Sequence, residues 1–356
     1  MSLKVLSVGY PLAPVARNTA GGAEQILSIL DEAVVSAGHE SLVIAPAGSA
    51  CYGTLLPITP TGTVLDDDRR AFARLETQRK ICWALNHYEV DVIHLHGIDF
   101  LAYMPGAGIP VVVTLHLPPS WYPERAFQLS RPDTYLVCVS SSQRRECPPG
   151  AHVYEVIPNG IRLNEFAPQW EKGDYVVALG RICPEKGFHL AVDAADQAGV
   201  PLFLAGTVFG YKAHTDYFEQ VLRPKLKGDH RFVAAVGGRR KQELLAGARC
   251  LVVPSLVSET SSLVAMEAIA CGTPVVAFRR GALPEIVQHG RTGFLVDDVD
   301  DMAKAIDAAR DLSPSVCREY AEANFSSIKM AERYLHLYRS ISAAQSSYAS
   351  EQEHAA

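Results

Sequence analysis

Two glutamates lie eight positions apart around the start of a short helical segment. Glu259 falls in a loop, and Glu267 lies inside the helix predicted for residues 262–270. Apolar residues flank Glu267 on both sides, so a buried carboxylate there needs a partner. Ser261 and Ser262 are predicted to cap this helix, whose first turn then offers N–H groups suited to a phosphate. The alternative for an isolated pair is two solvated surface charges.

A second segment combines two cations with glycines. Arg181 and Lys186 lie in the octapeptide GRICPEKG, residues 180–187, which directly follows an apolar run. At the end of a strand, Arg181 can hold a phosphate through two parallel hydrogen bonds, while Lys186 supplies a point charge. These residue types predict a diphosphate site. Taken alone, the segment is equally consistent with a surface loop that carries incidental charge.

Short apolar runs alternate with segments of helical period along the chain. The runs lack polar alternation, which is typical of parallel strands covered by helices on both faces. The first half is predicted to form a helix at 23–37 and strands at 4–9, 42–45, 92–95, 111–115, 135–139 and 153–157. This pattern predicts a doubly wound α/β domain.

The same pattern restarts after the turn signal Pro158-Asn159-Gly160 and a polar stretch at residues 167–174. Strands are predicted at 175–179, 201–205, 232–236, 251–254 and 274–278, and helices at 188–198, 241–248 and 262–270.

We therefore expect an N-terminal Rossmann-like domain at 1–165 and a C-terminal one at 166–325. A cleft bounded by the carboxyl ends of both sets of strands is the expected ligand site. A helix at 326–341 is expected to pack back toward the N-terminal domain, and a polar tail at 342–356 is expected to fray.

Six motifs occur in a fixed order between residues 4 and 341. They are Gly-Gly-x-Glu at 21–24, Pro-Asn-Gly at 158–160, Gly-Arg with a lysine five positions on, two glutamates separated by seven residues, GALPE at 281–285 and GRTGFL at 290–295. In content and order the chain resembles the retaining glycosyltransferases of family 4. The resemblance implies the GT-B fold, which has two facing Rossmann-like domains and an interdomain cleft. It also implies transfer of a sugar from a nucleoside-diphosphate sugar, with the domain at 1–165 on the acceptor side and the domain at 166–325 on the donor side.

The resemblance assigns roles to four charged side chains. Arg181 and Lys186 would neutralise the donor diphosphate. Glu267 would accept hydrogen bonds from the ribose hydroxyls, and Glu259 from a hydroxyl of the transferred sugar. The backbone amides of Leu263 and Val264 would touch phosphate or sugar.

The resemblance extends to the N-terminal half. Gly22, next to Gly21 on the turn after the first strand, would let the backbone approach the donor phosphates or the acceptor. His116, at the end of a strand, matches the family's active-site histidine, and a capped loop histidine is the alternative.

The chain departs from the family in two places. Ser261 and Ser262 stand where the family commonly has Phe-Gly, and Ala282 replaces a glycine of the late loop. The two hydroxyls could add hydrogen bonds to the donor. The class of donor, a nucleoside-diphosphate sugar, is therefore better determined than the particular sugar and nucleotide.

Bulk properties exclude several classes of function. The net charge of -6 gives no electrostatic reason to expect nucleic-acid binding. No apolar run approaches the roughly 18 to 20 residues needed to cross a bilayer, and residues 1–20 lack the order of a secretory signal. The eight cysteines include no Cys-x-x-Cys pair, which favours free thiols in a reducing compartment. We expect a cytoplasmic protein, with peripheral contact at the inner membrane face left open.

Three other clusters carry charge or metal-ligand types. His94 and His96 lie on one strand face without a third ligand nearby, which favours packing or hydrogen bonding over metal binding. The Asp-Asp-Asp run at 66–68 is interpreted as a helix N-terminus, where negative charge is favourable. The Arg-Arg-Lys run at 239–241 is interpreted as a solvated loop, with contact to the donor or an anionic membrane as a lesser alternative.

The expected reaction needs neither a metal nor a cofactor beyond the donor, because Arg181 and Lys186 supply the charge that a divalent ion would supply. Two alternatives stay open, a nucleotide-sugar epimerase or hydrolase of the same fold, and a non-catalytic nucleotide-sugar-binding subunit. The sequence does not determine the sugar, the nucleotide, the acceptor or the oligomeric state.

Overall fold

The computed structural model describes residues 2–19, 21–60, 62 and 66–355, with side chains described through residue 345. It divides into two compact units, one of Met1–Pro158 with Ile328–Ala356 and one of Asn159–Ser327. The division falls after Pro158 instead of after residue 165. The reason is that Ile161 pairs through its backbone with Phe325 and Ser327, inside the second unit.

The first unit is built on a seven-stranded sheet with the order β3-β2-β1-β4-β5-β6-β7, in which all neighbouring strands run parallel. Its elements before the junction are β1 (Lys4–Val8), α1 (Gly22–Ser36), β2 (Glu40–Pro46), β3 (Thr54–Ile58), α2 (Asp67–His87), β4 (Val92–Leu95), β5 (Val111–Leu115), β6 (Thr134–Cys138), α3 (Ser141–Glu146) and β7 (Val153–Val156). The predicted strands of this half are all present. All residues of β4 and β5 are buried, as expected for strands covered on both faces.

Strand β3 and the short helix α3 were not predicted, and of helix α2 only the N-terminus was predicted. Strand β3 contains Pro57, which weakens a strand pattern, and it is tolerated because β3 lies at the sheet edge. Helix α2 buries only a narrow stripe, Ala73, Thr77, Ile81 and Ala84, among charged residues. The Asp-Asp-Asp run begins this helix, and the Asp66 side chain accepts a 2.9 Å hydrogen bond from the Arg69 amide. The interpretation of residues 66–68 as a helix N-terminus is therefore confirmed.

The second unit repeats the design with a six-stranded parallel sheet of order β10-β9-β8-β11-β12-β13. Its elements are β8 (Val176–Leu179), α4 (Phe188–Gln197), β9 (Leu202–Ala205), α5 (Lys212–Asp216), β10 (Arg231–Val233), α6 (Gly238–Ala246), β11 (Cys250–Val253), α7 (Leu263–Ala270), β12 (Val275–Phe278), α8 (Leu283–Ile286), β13 (Gly293–Val296), α9 (Val299–Ala308) and α10 (Pro314–Asn324). Two apolar clusters cover the two faces of this sheet. The doubly wound α/β prediction is confirmed for both halves.

The chain returns to the first unit through α11 (Ser327–Ala355). Tyr334 and Tyr338 of this helix are fully buried against the first sheet, where their hydroxyls bond to Thr114 and His94. The helix continues through Ala355, so the predicted frayed tail from Ser342 onward is helical. No helix in the described part of the chain is long and apolar enough to span a membrane.

Candidate active site

The loop that carries Arg181 and Lys186 follows β8 directly. It closes with a short 3-10 turn, Pro184–Lys186, which ends at Gly187 in the left-handed region with φ of +63°. A Cβ at Gly187 would lie 2.3 Å from the carbonyl oxygen of Pro254, so only glycine fits there. The Leu256 amide donates a 2.8 Å hydrogen bond to the Glu185 carbonyl. The loop is thus fixed against the chain that follows β11.

Lys186 and Glu259 form an ion pair in the second unit. The Lys186 Nζ lies 2.6 Å from the Glu259 Oε1, and the Ser255 hydroxyl donates to the same oxygen at 2.6 Å. Glu259 and Ser255 are buried, while Lys186 is only half-buried. A half-buried ammonium beside a held carboxylate can bind an anion on its open side while the carboxylate accepts hydroxyl donors.

The backbone around Glu259 is held by the loop after β12. Gly281 has φ of +55°, and a Cβ there would lie 2.4 Å from the Glu259 amide nitrogen. The Ala282 amide donates a 2.6 Å hydrogen bond to the Glu259 carbonyl. The Gly-Ala-Leu-Pro-Glu motif therefore packs directly on the residue that pairs with Lys186.

Helix α7 begins at Leu263, one residue later than predicted. Ser262 occupies the position before the helix, but its side chain makes no capping hydrogen bond, so the prediction of a serine cap is wrong. The Ser261 Oγ is buried and has no hydrogen-bond partner among the described residues. Leu263 and Val264 are half-buried in the first turn, whose amides lack intrahelical acceptors by helix geometry. A buried free hydroxyl beside such amides suits an anionic ligand.

Glu267 is almost completely buried, and its partner is Lys241. The Lys241 Nζ lies 2.6 Å from the Glu267 Oε1, and both side chains are shielded from solvent. Burial raises the pKa of Glu267, and the Lys241 charge opposes that rise. The interpretation of residues 239–241 as a solvated loop is wrong for Lys241, which stabilises the buried carboxylate. Arg239, in contrast, is exposed and pairs with Glu243 on the surface of α6.

Arg181 is half-buried on the same loop as Lys186. Its charge lies close enough to His214 to add to the effect of burial, and together they lower the pKa of that imidazole. The structure thus assigns the two loop cations different neighbours: Lys186 faces a carboxylate, and Arg181 lies near an imidazole.

In the first unit, α1 begins at Gly22, and Gly21 precedes it in an extended conformation. A Cβ at Gly21 would lie 1.8 Å from the Glu24 Oε2, so the glycine makes room for a buried carboxylate. The Gly-Gly-x-Glu motif therefore has a local structural explanation in addition to the predicted approach of a ligand.

His116 follows β5 and is paired with another histidine. The His96 Nδ1 and the His116 Nε2 lie 3.0 Å apart, and the two rings are stacked. Burial lowers the pKa of His116 to about 4, so its imidazole is neutral near pH 7. The His96 Nε2 is buried and has no partner within the described residues.

His94 is engaged on both sides of its ring. Its Nδ1 lies 2.6 Å from the Tyr338 hydroxyl, and its Nε2 lies 2.7 Å from the Thr114 hydroxyl. Both ring nitrogens of His94 and the Nδ1 of His96 are therefore hydrogen-bonded, as predicted for this pair.

The structure therefore joins Lys186 to Glu259 and places Glu267 in a separate buried pair. Sequence reasoning missed Ser255 and Lys241. The signal for Lys241 was present, since a glutamate inside an apolar helix requires a cationic or donor partner. Nothing local indicated which cation that would be.

Two family models match the chain. The model described as "Glycosyltransferase Family 4" matches residues 20–165, and the one described as "Glycosyl transferases group 1" matches residues 173–311. A phosphatidyl-myo-inositol mannosyltransferase of Mycolicibacterium smegmatis is 28% identical over 339 residues, which cover 83% of this chain and 82% of the relative. A D-inositol 3-phosphate glycosyltransferase of Pseudarthrobacter chlorophenolicus is 32% identical over 63% of each chain.

Solved structures show the same fold. AviGT4, a glycosyltransferase involved in avilamycin A biosynthesis, superposes with a TM-score of 0.71 at 25% identity, over 96% of this chain and 98% of that one. Anabaena Alr3699/HepE, solved in complex with UDP-glucose, gives a TM-score of 0.74 at 20% identity, over 95% of this chain and 100% of its own.

Proposed function

Since this chain belongs to the group 1 glycosyltransferases of family 4, we propose that it transfers a sugar from a nucleoside-diphosphate sugar with retention of anomeric configuration. The observation that carries the proposal is the Lys186–Glu259 pair at the end of the second sheet, with Ser255 on the same carboxylate oxygen. The pair places a cation, which can bind the diphosphate, next to a carboxylate, which can accept a hydrogen bond from a hydroxyl of the sugar.

The chemistry assigned to these residues follows from the charges that develop in the reaction. Cleavage of the sugar–phosphate bond leaves positive charge on the anomeric carbon and negative charge on the diphosphate. Arg181, Lys186 and the first turn of α7 stabilise the second charge. Retention follows if the acceptor attacks from the face that the diphosphate leaves, and the departing phosphate oxygen takes the acceptor's proton.

A panel of nucleotide sugars in a thermal-shift assay tests the donor class, because a bound donor raises the melting temperature by mass action. Transfer is then measured first with phosphatidyl-myo-inositol and D-inositol 3-phosphate as acceptors, since the names of two relatives contain these compounds. We expect one nucleoside-diphosphate sugar to raise the melting temperature of the protein. Its sugar should then appear on an acceptor with the same anomeric configuration. Stabilisation by none of the donors, or an inverted product, would contradict the proposal. Donor consumption without an acceptor would indicate a hydrolase.

Transfer is expected to proceed without Mg²⁺ or Mn²⁺, because Arg181 and Lys186 provide the charge compensation that these ions provide elsewhere. After EDTA treatment and removal of the chelator, addition of either ion should leave the rate unchanged. A rate that vanishes with EDTA and returns only with Mg²⁺ or Mn²⁺ would show that a hard metal ion carries the diphosphate.

His116→Ala is expected to lower kcat about tenfold, which corresponds to the loss of one net hydrogen bond. The affinity for the nucleoside diphosphate should be unchanged, because the donor motifs belong to the second unit. The wild-type rate should also show no titration of His116 between pH 6 and 8, since its pKa is lowered to about 4. Steady-state kinetics and a nucleotide titration check both points. His152→Ala, on an exposed histidine of the same unit, is the control. An unchanged kcat in His116→Ala would remove His116 from the catalytic assignment.

A further inference from the structure

A thiol, a carboxylate and an imidazole meet beside the donor loop. The Cys183 sulfur, a Glu185 carboxylate oxygen and a His214 ring nitrogen all lie within 4.8 Å of one another. Cys183 and Glu185 belong to the loop after β8, whereas His214 lies on α5, so the cluster joins two separate elements. Across the described residues, this is the one group of three such side chains close enough to share a metal ion.

The imidazole of the cluster has an unused ring nitrogen. The His214 Nδ1 is buried without a hydrogen-bond partner in the described part of the chain. A ring nitrogen without a hydrogen-bond partner can offer its lone pair to a metal ion.

We propose that Cys183, Glu185 and His214 form a binding site for a divalent transition metal ion of the zinc type. Sulfur and nitrogen ligands select such ions over Mg²⁺ and Mn²⁺, which prefer oxygen. Three protein ligands leave a fourth tetrahedral position for water or an exogenous ligand. This inference goes beyond the proposed transfer reaction and stands whether or not that reaction is found.

The charges and protons of the site balance. On binding, the Cys183 S–H bond breaks, a sulfur–metal bond forms and the proton leaves to solvent. The thiolate and the Glu185 carboxylate together carry two negative charges, which compensate the divalent ion. This compensation is needed because Arg181 and Lys186 lie near Cys183 and would otherwise repel a cation. The thiol's contact with the Arg181 carbonyl, 3.6 Å from sulfur to oxygen, is given up.

Metal binding would connect the donor loop to α5. Without it, the Cys183 thiol donates a weak hydrogen bond to the Arg181 carbonyl of the same loop. The test must distinguish these two arrangements. It must also exclude metal binding by Cys138 and Cys147, two thiols whose sulfurs lie 3.8 Å apart.

Co²⁺ is the first probe, because a thiolate ligand gives cobalt a charge-transfer band in the near ultraviolet. Titration of the chelator-treated full chain should produce this band with saturation at one ion per chain, and Zn²⁺ should remove it. Cys183→Ser should abolish the band, whereas the matched control Cys147→Ser should keep it. A band that persists in Cys183→Ser, or no band in the wild type, would overturn the proposal.

A second measurement covers the case in which Cys183→Ser, a change at a buried residue, fails to fold. Zn²⁺ should raise the melting temperature of the wild type, because it binds the folded state, and Mg²⁺ should not. His214→Gln changes a partly buried side chain on a short surface helix and should fold normally. The zinc-dependent shift should be lost in this variant. An equal shift in His214→Gln and the wild type, or no shift in either, would contradict the site.

Discussion

Lys186→Ala is expected to lower kcat about a hundredfold, which is the cost of removing one preorganised electrostatic contact of about 3 kcal/mol. The charge on the leaving diphosphate grows during bond cleavage, so its cation contributes more to the transition state than to the bound donor. Donor affinity should weaken as well, but by less than kcat falls. Single-turnover rates and a donor titration separate the two effects.

The design must account for the ion pair that the variant breaks. Removing the ammonium leaves Glu259 buried beside Ser255 without its cation, which itself costs stability. Lys186→Gln keeps an N–H donor for Glu259 while it removes the positive charge, so it isolates the electrostatic term. Lys304→Ala, on an exposed lysine of α9 in the same unit, is the control for a lost lysine. If Lys186→Gln folds and retains full kcat, Lys186 does not stabilise the leaving group.

Glu267→Gln is expected to weaken binding of the nucleoside diphosphate by about ten- to a hundredfold, as for the loss of hydrogen bonds to a charged acceptor. The proposed partners of Glu267 are the ribose hydroxyls, so the effect should depend on them. Wild-type protein should bind the ribonucleotide more tightly than its 2′,3′-dideoxy analogue, and Glu267→Gln should bind the two almost equally. Calorimetric titration of both nucleotides into both proteins gives the four affinities required.

This comparison also separates binding from folding. Glutamine preserves the volume of Glu267 and an acceptor for Lys241, so the buried pair becomes a neutral–cation hydrogen bond. Because the amide oxygen of glutamine can still accept a hydrogen bond from the Lys241 ammonium, the variant should fold. Glu243→Gln, on an exposed glutamate of α6, is the control. Unchanged discrimination between the two nucleotides in Glu267→Gln would show that Glu267 does not bind the ribose.

The three predicted regions of the site differ in what supports them. The donor loop and the two glutamates lie in one compact unit. There Glu259 pairs with Lys186 of the loop, and Glu267 pairs with Lys241. His116 lies in the other unit, and its neutral ring is a consequence of burial at the end of β5. A neutral imidazole can accept or donate one hydrogen bond at each nitrogen but carries no charge. We therefore expect it to orient a hydroxyl, which is why its predicted effect on kcat is smaller than that of Lys186.

The sequence by itself determined the doubly wound α/β class, the two repeated halves and the family. These properties can be predicted from short stretches of sequence. Continuous apolar runs indicate strands covered on both faces, and glycines indicate the turns between strands and helices. The strand at 54–58 was not predicted, and of the helix at 67–87 only the N-terminus was predicted. A proline at a sheet edge and a narrow apolar stripe in a charged helix weaken the local pattern without preventing the fold.

Only the tertiary structure decided which side chains meet. Lys186 and Glu259 are 73 positions apart, Lys241 and Glu267 are 26 apart, and His94 and Tyr338 are 244 apart. The sequence shows that a buried charge or polar ring needs a partner, because desolvation without one is costly. It does not show which residue that partner is. That choice is made where strand ends and helices from distant parts of the chain pack together, as they do for Cys183, Glu185 and His214.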